Sequence, residues 1–149
     1  DSFDLVICLE AFHYVPDPQE GIAEIRRVLR PGGTAIVTVP LVWGYDPSIL
    51  EHRYTGPELV ELFEGWSDVE LVENGGRAVA WACLSGFMLR RVEQSLRGKS
   101  RLALVFRPAF IAGYLLINAL GGIADRLERR QGPGGTVLPM NLLIRARRP

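Results

Sequence analysis

The chain has 149 residues, 48% of them hydrophobic, with 17 basic and 17 acidic side chains. That is apolar material for the core of one domain rather than two, and a zero net charge excludes a uniformly basic nucleic-acid binder. The two cysteines, Cys8 and Cys83, sit inside apolar runs with no CxxC or histidine-rich company, so structural thiols in a reducing compartment are expected, not a disulfide framework or a metal site.

The zero conceals a division. Residues 1–76 carry 14 acids and 4 bases, net −10, residues 77–130 carry 10 bases and 3 acids, net +7, and three arginines lie in the tail. The middle of the chain is therefore a cationic block of its own. The chain opens at Asp1 and runs at once into an apolar stretch with no signal or transit pattern, which leads us to expect an N-terminal truncation.

In chain order, "FDLVICL" (Phe3–Leu9) is a nearly unbroken apolar run with β-branched content, as in a strand of a parallel sheet covered on both faces. Asp17, Pro18 and Glu20 then supply a cap, a first helical residue and a capping-box acid. Ile22, Ile25, Val28 and Leu29 share one helical face, Arg26, Arg27 and Arg30 favour the negative end of the dipole, and Pro31, Gly32 and Gly33 stop the helix. "TAIVTV" (34–39) reads as a second strand, so the unit is strand, right-handed crossover helix, parallel strand.

Beyond a loop of Gly, Pro, Tyr and Asp, "TGPE" repeats the capping logic and opens a short helix with Leu59, Leu62 and Phe63 inward. "VELVE" (69–73) fits a strand ended by Asn74, Gly75 and Gly76. Residues 78–96 and 102–130 read as helices, with a break at 98–100 and a further one at Pro108. "MNLLIRA" (140–146) reads as a closing strand. The organisation is strand–helix–strand units over 1–76, a helical insertion or cap over 77–136, and a closing strand over 137–149.

The pieces "FDLVICLEAFHYVPDP", "IAEIRRVLRPGGTAIVTVP", "HRYTGPELVELFEGW" and "NLLIRARRP", in that order, resemble the C-terminal part of class I S-adenosylmethionine-dependent methyltransferases of the group acting on small molecules, lipids and sugars. The resemblance implies an α/β fold: a doubly wound, mostly parallel, Rossmann-like sheet of order 3-2-1-4-5-7-6, with the seventh strand antiparallel. It makes Phe3–Leu9 strand four, 34–39 strand five, 69–73 strand six and 140–146 strand seven. The glycine-rich loop after strand one and the ribose-binding acid after strand two have no counterpart in these 149 residues, so one wall of a cofactor site is expected here.

The resemblance also implies S-adenosyl-L-methionine as cofactor and a small-molecule, lipid or saccharide acceptor, with no nucleic-acid partner. It places Cys8, Leu9 and Glu10 against the cofactor and the next residues toward the acceptor. Where many relatives read "EHVPD", this chain reads His13, Tyr14, Val15, Pro16, Asp17. Methyl transfer from a sulfonium is an in-line displacement, and it needs a general base only when the acceptor must lose a proton. His13 is the candidate base, because its ordinary pKa lies near neutrality. Tyr14 and the cluster His52, Arg53, Tyr54 are candidates for the acceptor site, and Trp43 with Tyr45 for an aromatic lid.

Residues 108–124, "PAFIAGYLLINALGGIA", are uncharged and lie beside Arg90, Arg91, Arg97, Lys99, Arg101 and Arg107. The run falls short of the ~20 residues that span a bilayer. It suits a cap over an active-site mouth, or peripheral membrane contact through 85–130 by a cytoplasmic protein. The rival to an enzyme is a non-catalytic helical membrane- or partner-binding module on a degenerate methyltransferase scaffold. Self-association of the chain is expected too, because strand four normally pairs with strand one and would here be a bare edge.

Overall fold

The computed structural model describes all residues except 45, 98–101 and 131–137. The chain divides into two compact units, Asp1–Asn74 with Pro139–Pro149, and Gly75–Leu138.

The first unit is a four-stranded sheet of order β1-β2-β4-β3, formed by Phe3–Leu9 (β1), Leu29–Pro40 (β2), Ser67–Asn74 (β3) and Asn141–Arg147 (β4). β1 and β2 are parallel, with Ile7 opposite Ile36 and Leu9 opposite Thr38, and β4 is antiparallel to both β2 and β3. This is the 4-5-7-6 half of the class I order, so the α/β expectation holds.

The crossover helix α1 (Pro18–Val28) starts where Asp17 Oδ1 accepts hydrogen bonds from the backbone N–H groups of Gln19 and Glu20, 3.0 and 3.1 Å away. Its end differs from the sequence reading. The helix stops at Val28, ahead of Pro31, and Leu29 is already extended, so β2 begins five residues before Thr34. The register against β1 shifts between Phe3 and Leu5, and the chain absorbs this shift at the two glycines. Gly32 has φ +77°, and a Cβ on Gly33 would stand 2.9 Å from the Arg30 carbonyl oxygen, so neither position takes a side chain without strain. The short helix α2 (Gly56–Glu61) begins at Thr55, whose N–H and hydroxyl both donate to the Glu58 carboxylate, at 2.7 and 2.8 Å.

One face of this sheet is closed. Ala35, Val37 and Val39 of β2 and Leu142, Ile144 and Ala146 of β4 are buried under Ile22 of α1, Leu59 of α2 and Phe63, with Phe12 and Leu29 completing the cluster. Alternation decides which residues join it, because every second side chain of a strand points to the same face. β1 departs from the expectation of a strand covered on both sides. Val6 and Cys8 pack toward the core, but Phe3, Leu5, Ile7 and Leu9 form a row 47–59% exposed. β1 pairs with β2 alone among the described strands.

The second unit is a hairpin of two long helices, α3 (Arg77–Arg97) and α4 (Leu102–Arg130). Its seam is built from small residues: a Cβ on Gly121 would meet that of Ala82 at 2.6 Å, and one on Gly113 would meet the Leu89 side chain at 2.9 Å. Tyr114 donates to Glu93 at 3.0 Å. The Glu128 carboxylate caps the start of α3, accepting from Arg77 Nε at 2.9 Å and the Ala78 N–H at 3.1 Å, where an anion also complements the helix dipole. The Arg77 hydrogen bond, more than anything else, holds the Glu128 carboxyl below its ordinary pKa. The break expected at Pro108 does not occur. α4 runs through it, with the packed seam outweighing the one backbone hydrogen bond a proline removes. The break expected at 98–100 lies outside the described residues.

Candidate active site

The parallel strands β1 and β2 point their carboxyl ends at one edge of the sheet, the position at which open α/β sheets hold ligands. Glu10, the first residue past β1, has φ +50°. This left-handed conformation is uncommon for a residue with a side chain. It is held by Thr38, whose carbonyl and hydroxyl oxygens both accept the Glu10 N–H, at 3.1 and 2.9 Å. The turn aims the Glu10 carboxylate across the strand ends to Asn141, which opens β4 and donates from Nδ2 to Oε1 at 3.1 Å.

A single 3-10 turn over Phe12–Tyr14 follows. Phe12 anchors it in the core, while His13 is 3% exposed and lies against the Tyr14 ring, with centroids 3.9 Å apart. His13 Nδ1 is buried and finds no hydrogen-bond partner among the described residues, and the same holds for Asn141 Oδ1 and the Tyr54 hydroxyl. Burial pushes the His13 pKa down, and the Arg53 guanidinium adds to this. Glu51 and Glu10 oppose it. The balance favours the neutral imidazole over the imidazolium.

Glu10, His13, Tyr14, Pro40, Trp43, Met140 and Asn141 line a cavity of about 410 Å³, within the range of small-molecule sites. Four residues named from sequence, Glu10, His13, Tyr14 and Trp43, thus share one cavity, with one acid, one imidazole and an aromatic wall. The others are placed differently. The Cys8 side chain packs on the core, where burial raises its thiol pKa, and Leu9 belongs to the exposed row of β1. His52 supports the site through its backbone, donating its N–H to the His13 carbonyl at 2.8 Å, and stacks on Tyr54. Arg53 is paired with Glu51 at 2.6 Å in a neighbouring surface hollow, and Tyr54 is a core residue. Tyr45 lies outside the described residues.

Sequence reasoning missed Asn141, Met140 and Pro40. Nothing local marks Met140 and Asn141, which reach the cavity only through the pairing of β4 beside β2, whereas Pro40 ends β2 at the same edge as Glu10. Among the described residues, no group of three His, Cys, Asp or Glu side chains is placed to hold a metal ion.

Comparison with known proteins gives this edge a context. Residues 1–37 match the family model described as a methyltransferase domain. The demethylmenaquinone methyltransferase of Clavibacter sepedonicus is 32% identical over 103 residues, covering 55% of this chain and 41% of that one. Among solved structures, Haemonchus contortus phosphoethanolamine N-methyltransferase 2 in complex with S-adenosyl-L-methionine aligns with 99% of this chain and 33% of its own, with a TM-score of 0.51 and 18% identity. An S-adenosylmethionine-dependent methyltransferase from Mesorhizobium loti aligns with 99% and 63%, with a TM-score of 0.50 and 17% identity. The chain spans less than half the length of the curated Clavibacter sepedonicus relative. In fold the chain is like the half of these S-adenosylmethionine-dependent methyltransferases that holds strands four to seven, and the methyltransferase-domain model matches its first 37 residues.

Proposed function

We propose that this chain forms the acceptor-side wall of an S-adenosylmethionine-dependent methyl-transfer site, with a small-molecule, lipid or saccharide acceptor. The observation that carries the reading is the cavity at the carboxyl ends of β1 and β2, where Glu10, His13 and Tyr14 converge beneath the methyltransferase signature. When bound, the cofactor's sulfonium supplies an electrophilic methyl group. The lining suits such a cation: Glu10 offers negative charge, and Tyr14 and Trp43 offer aromatic faces. Cys8 and Leu9 contribute the strand backbone leading into this edge.

His13 is the general base. The neutral imidazole would take up the proton that an acceptor oxygen or nitrogen loses when it is methylated. The backbone bond from His52 fixes the His13 main chain and the Tyr14 ring lies against the imidazole, and positioning of this kind supplies much of the rate. The Glu10–Asn141 hydrogen bond fixes the carboxylate that orients an acceptor hydroxyl or amine.

These 149 residues contain no GxGxG loop, so the contacts to the methionine and ribose ends of the cofactor must come from outside them. The isolated chain is accordingly a weak binder and inactive. Calorimetric titration with S-adenosylmethionine tests this directly. No heat is expected in the micromolar range for the chain alone. Binding and radiolabelled methyl transfer are expected once strands one to three of a class I methyltransferase are fused ahead of Asp1. Micromolar binding by the chain alone would sink the half-site reading.

A further inference from the structure

The hairpin α3–α4 has a face that its own packing leaves bare. Seam contacts at Gly113, Tyr114 and Gly121 fix which side of α4 meets α3. At 100° per residue, Ile111, Leu115, Leu116 and Ile123 then lie on the side away from it, and all four are exposed, Leu115 at 67%. Between Arg107 and Asp125 there is no charged residue. The result is a continuous apolar face along roughly 26 Å of helix, well beyond the scattered exposed leucines of an ordinary surface.

Cations rim this face. Exposed Arg107 stands at the head of a shallow groove lined by Pro108, Ile111, Ala112 and Leu115, and exposed Arg126 and Arg130 lie beyond the other end of the face.

We propose that this face of α4 docks on the surface of an anionic lipid bilayer, with the helix lying along the interface. Apolar side chains then enter the acyl boundary while the arginines meet lipid phosphates. Charge complementarity selects this occupant over a second copy of the chain, since two such faces brought together would oppose arginine-rimmed ends of like sign. Against the expectation from the shorter uncharged run alone, Phe106–Glu128 is long and apolar enough to cross a membrane by length and composition. A crossing orientation is disfavoured because the seam would carry Arg90, Arg91 and Glu93 of α3 into lipid with it. The inference rests on the hairpin alone and stands or falls independently of methyl transfer.

Co-sedimentation of the 149-residue chain with vesicles provides the test. One set is phosphatidylcholine alone, and the other contains about 30% phosphatidylglycerol, each at low and high salt. Binding to the anionic vesicles is expected to exceed binding to the neutral ones by about tenfold and to fade with salt, because exposed charge is screened. Leu115→Glu should reduce anionic binding about tenfold without changing the circular dichroism spectrum. If that variant misfolds, Arg107→Gln with Arg126→Gln should weaken binding and flatten its dependence on phosphatidylglycerol. Equal binding to both vesicle types, or none to either, overturns the proposal. So does a dimer in solution that Leu115→Glu converts to monomer, which would assign the face to a second copy.

Discussion

The sheet unit and the helical hairpin treat the same kind of residue in opposite ways. Along β2 and β4, aliphatic side chains at every second position disappear under α1, α2 and Phe63. Along α4, the side chains opposite the seam are as apolar, yet they face outward. A hairpin of two helices has one contact stripe and can bury only that stripe, whereas a sheet with helices across it closes an entire face. Charge follows the same division. The acidic first 76 residues hold ion pairs such as Arg30–Asp4 and Arg53–Glu51, while the hairpin's excess arginines rim an apolar surface. The first unit buries its apolar surface to hold a site in place, and the second exposes its own.

The largest expected effect is on chemistry. In a complete, cofactor-binding assembly, His13→Ala should lower turnover by roughly 10² to 10⁴ while leaving cofactor affinity nearly unchanged. Leu115→Glu, on the bare face of α4, should leave turnover on a soluble acceptor unaltered. A His13→Ala variant with near-normal turnover would remove the imidazole from the mechanism.

Stability should divide along the same line. Phe63→Ala deletes a fully buried ring from the core cluster and should cost about 3–5 kcal/mol in urea unfolding. Leu116→Ala, on the exposed side of α4, should fall within about 0.5 kcal/mol of the parent. Comparable losses at the two positions would show that something covers the α4 face in solution.

Two neighbouring glycines sharpen the hairpin side. Gly121 faces Ala82 across the seam, whereas Gly122 has open space where a Cβ would go. Gly121→Val should destabilise the hairpin by about 1–3 kcal/mol through overpacking, while Gly122→Ala should stabilise it by up to about 1 kcal/mol through helix propensity. Thermal melts of the two variants shifting in the same direction would contradict the seam.

The smallest effect is in the pH dependence. The His13 pKa is lowered by burial and by Arg53, so the unfolded chain binds this proton more readily than the folded one. His13 therefore leaves stability flat above the ordinary histidine pKa and lowers it as pH falls from there toward the folded value. Glu128, with a depressed pKa, contributes stability that is lost only at lower pH, as its own folded value is passed. His13→Gln should abolish the decline just below neutrality and keep the more acidic one. An unchanged profile in that variant would mean that His13 is as hydrated folded as unfolded.

Residue spacing by itself determined the elements, since strand alternation, helical periodicity and capping are local physics: β1, the Asp17 start of α1 and the Thr55 start of α2 all stand where those patterns place them. The sequence also determined that an acid, an imidazole and a phenol follow β1 directly, because those residues are consecutive or nearly so. Only the tertiary structure decided the rest. Asn141 meets Glu10 across 131 positions of chain because β4 pairs antiparallel beside β2, and no local pattern encodes a register between distant strands. Tyr54, which reads as a site residue, is drawn into the core by Phe12 and Leu59. α4 passes through Pro108 because the seam with α3 outweighs one lost hydrogen bond. Periodicity showed that α4 was apolar, but which of its apolar residues would be left facing outward depended on where Gly113 and Gly121 let α3 approach.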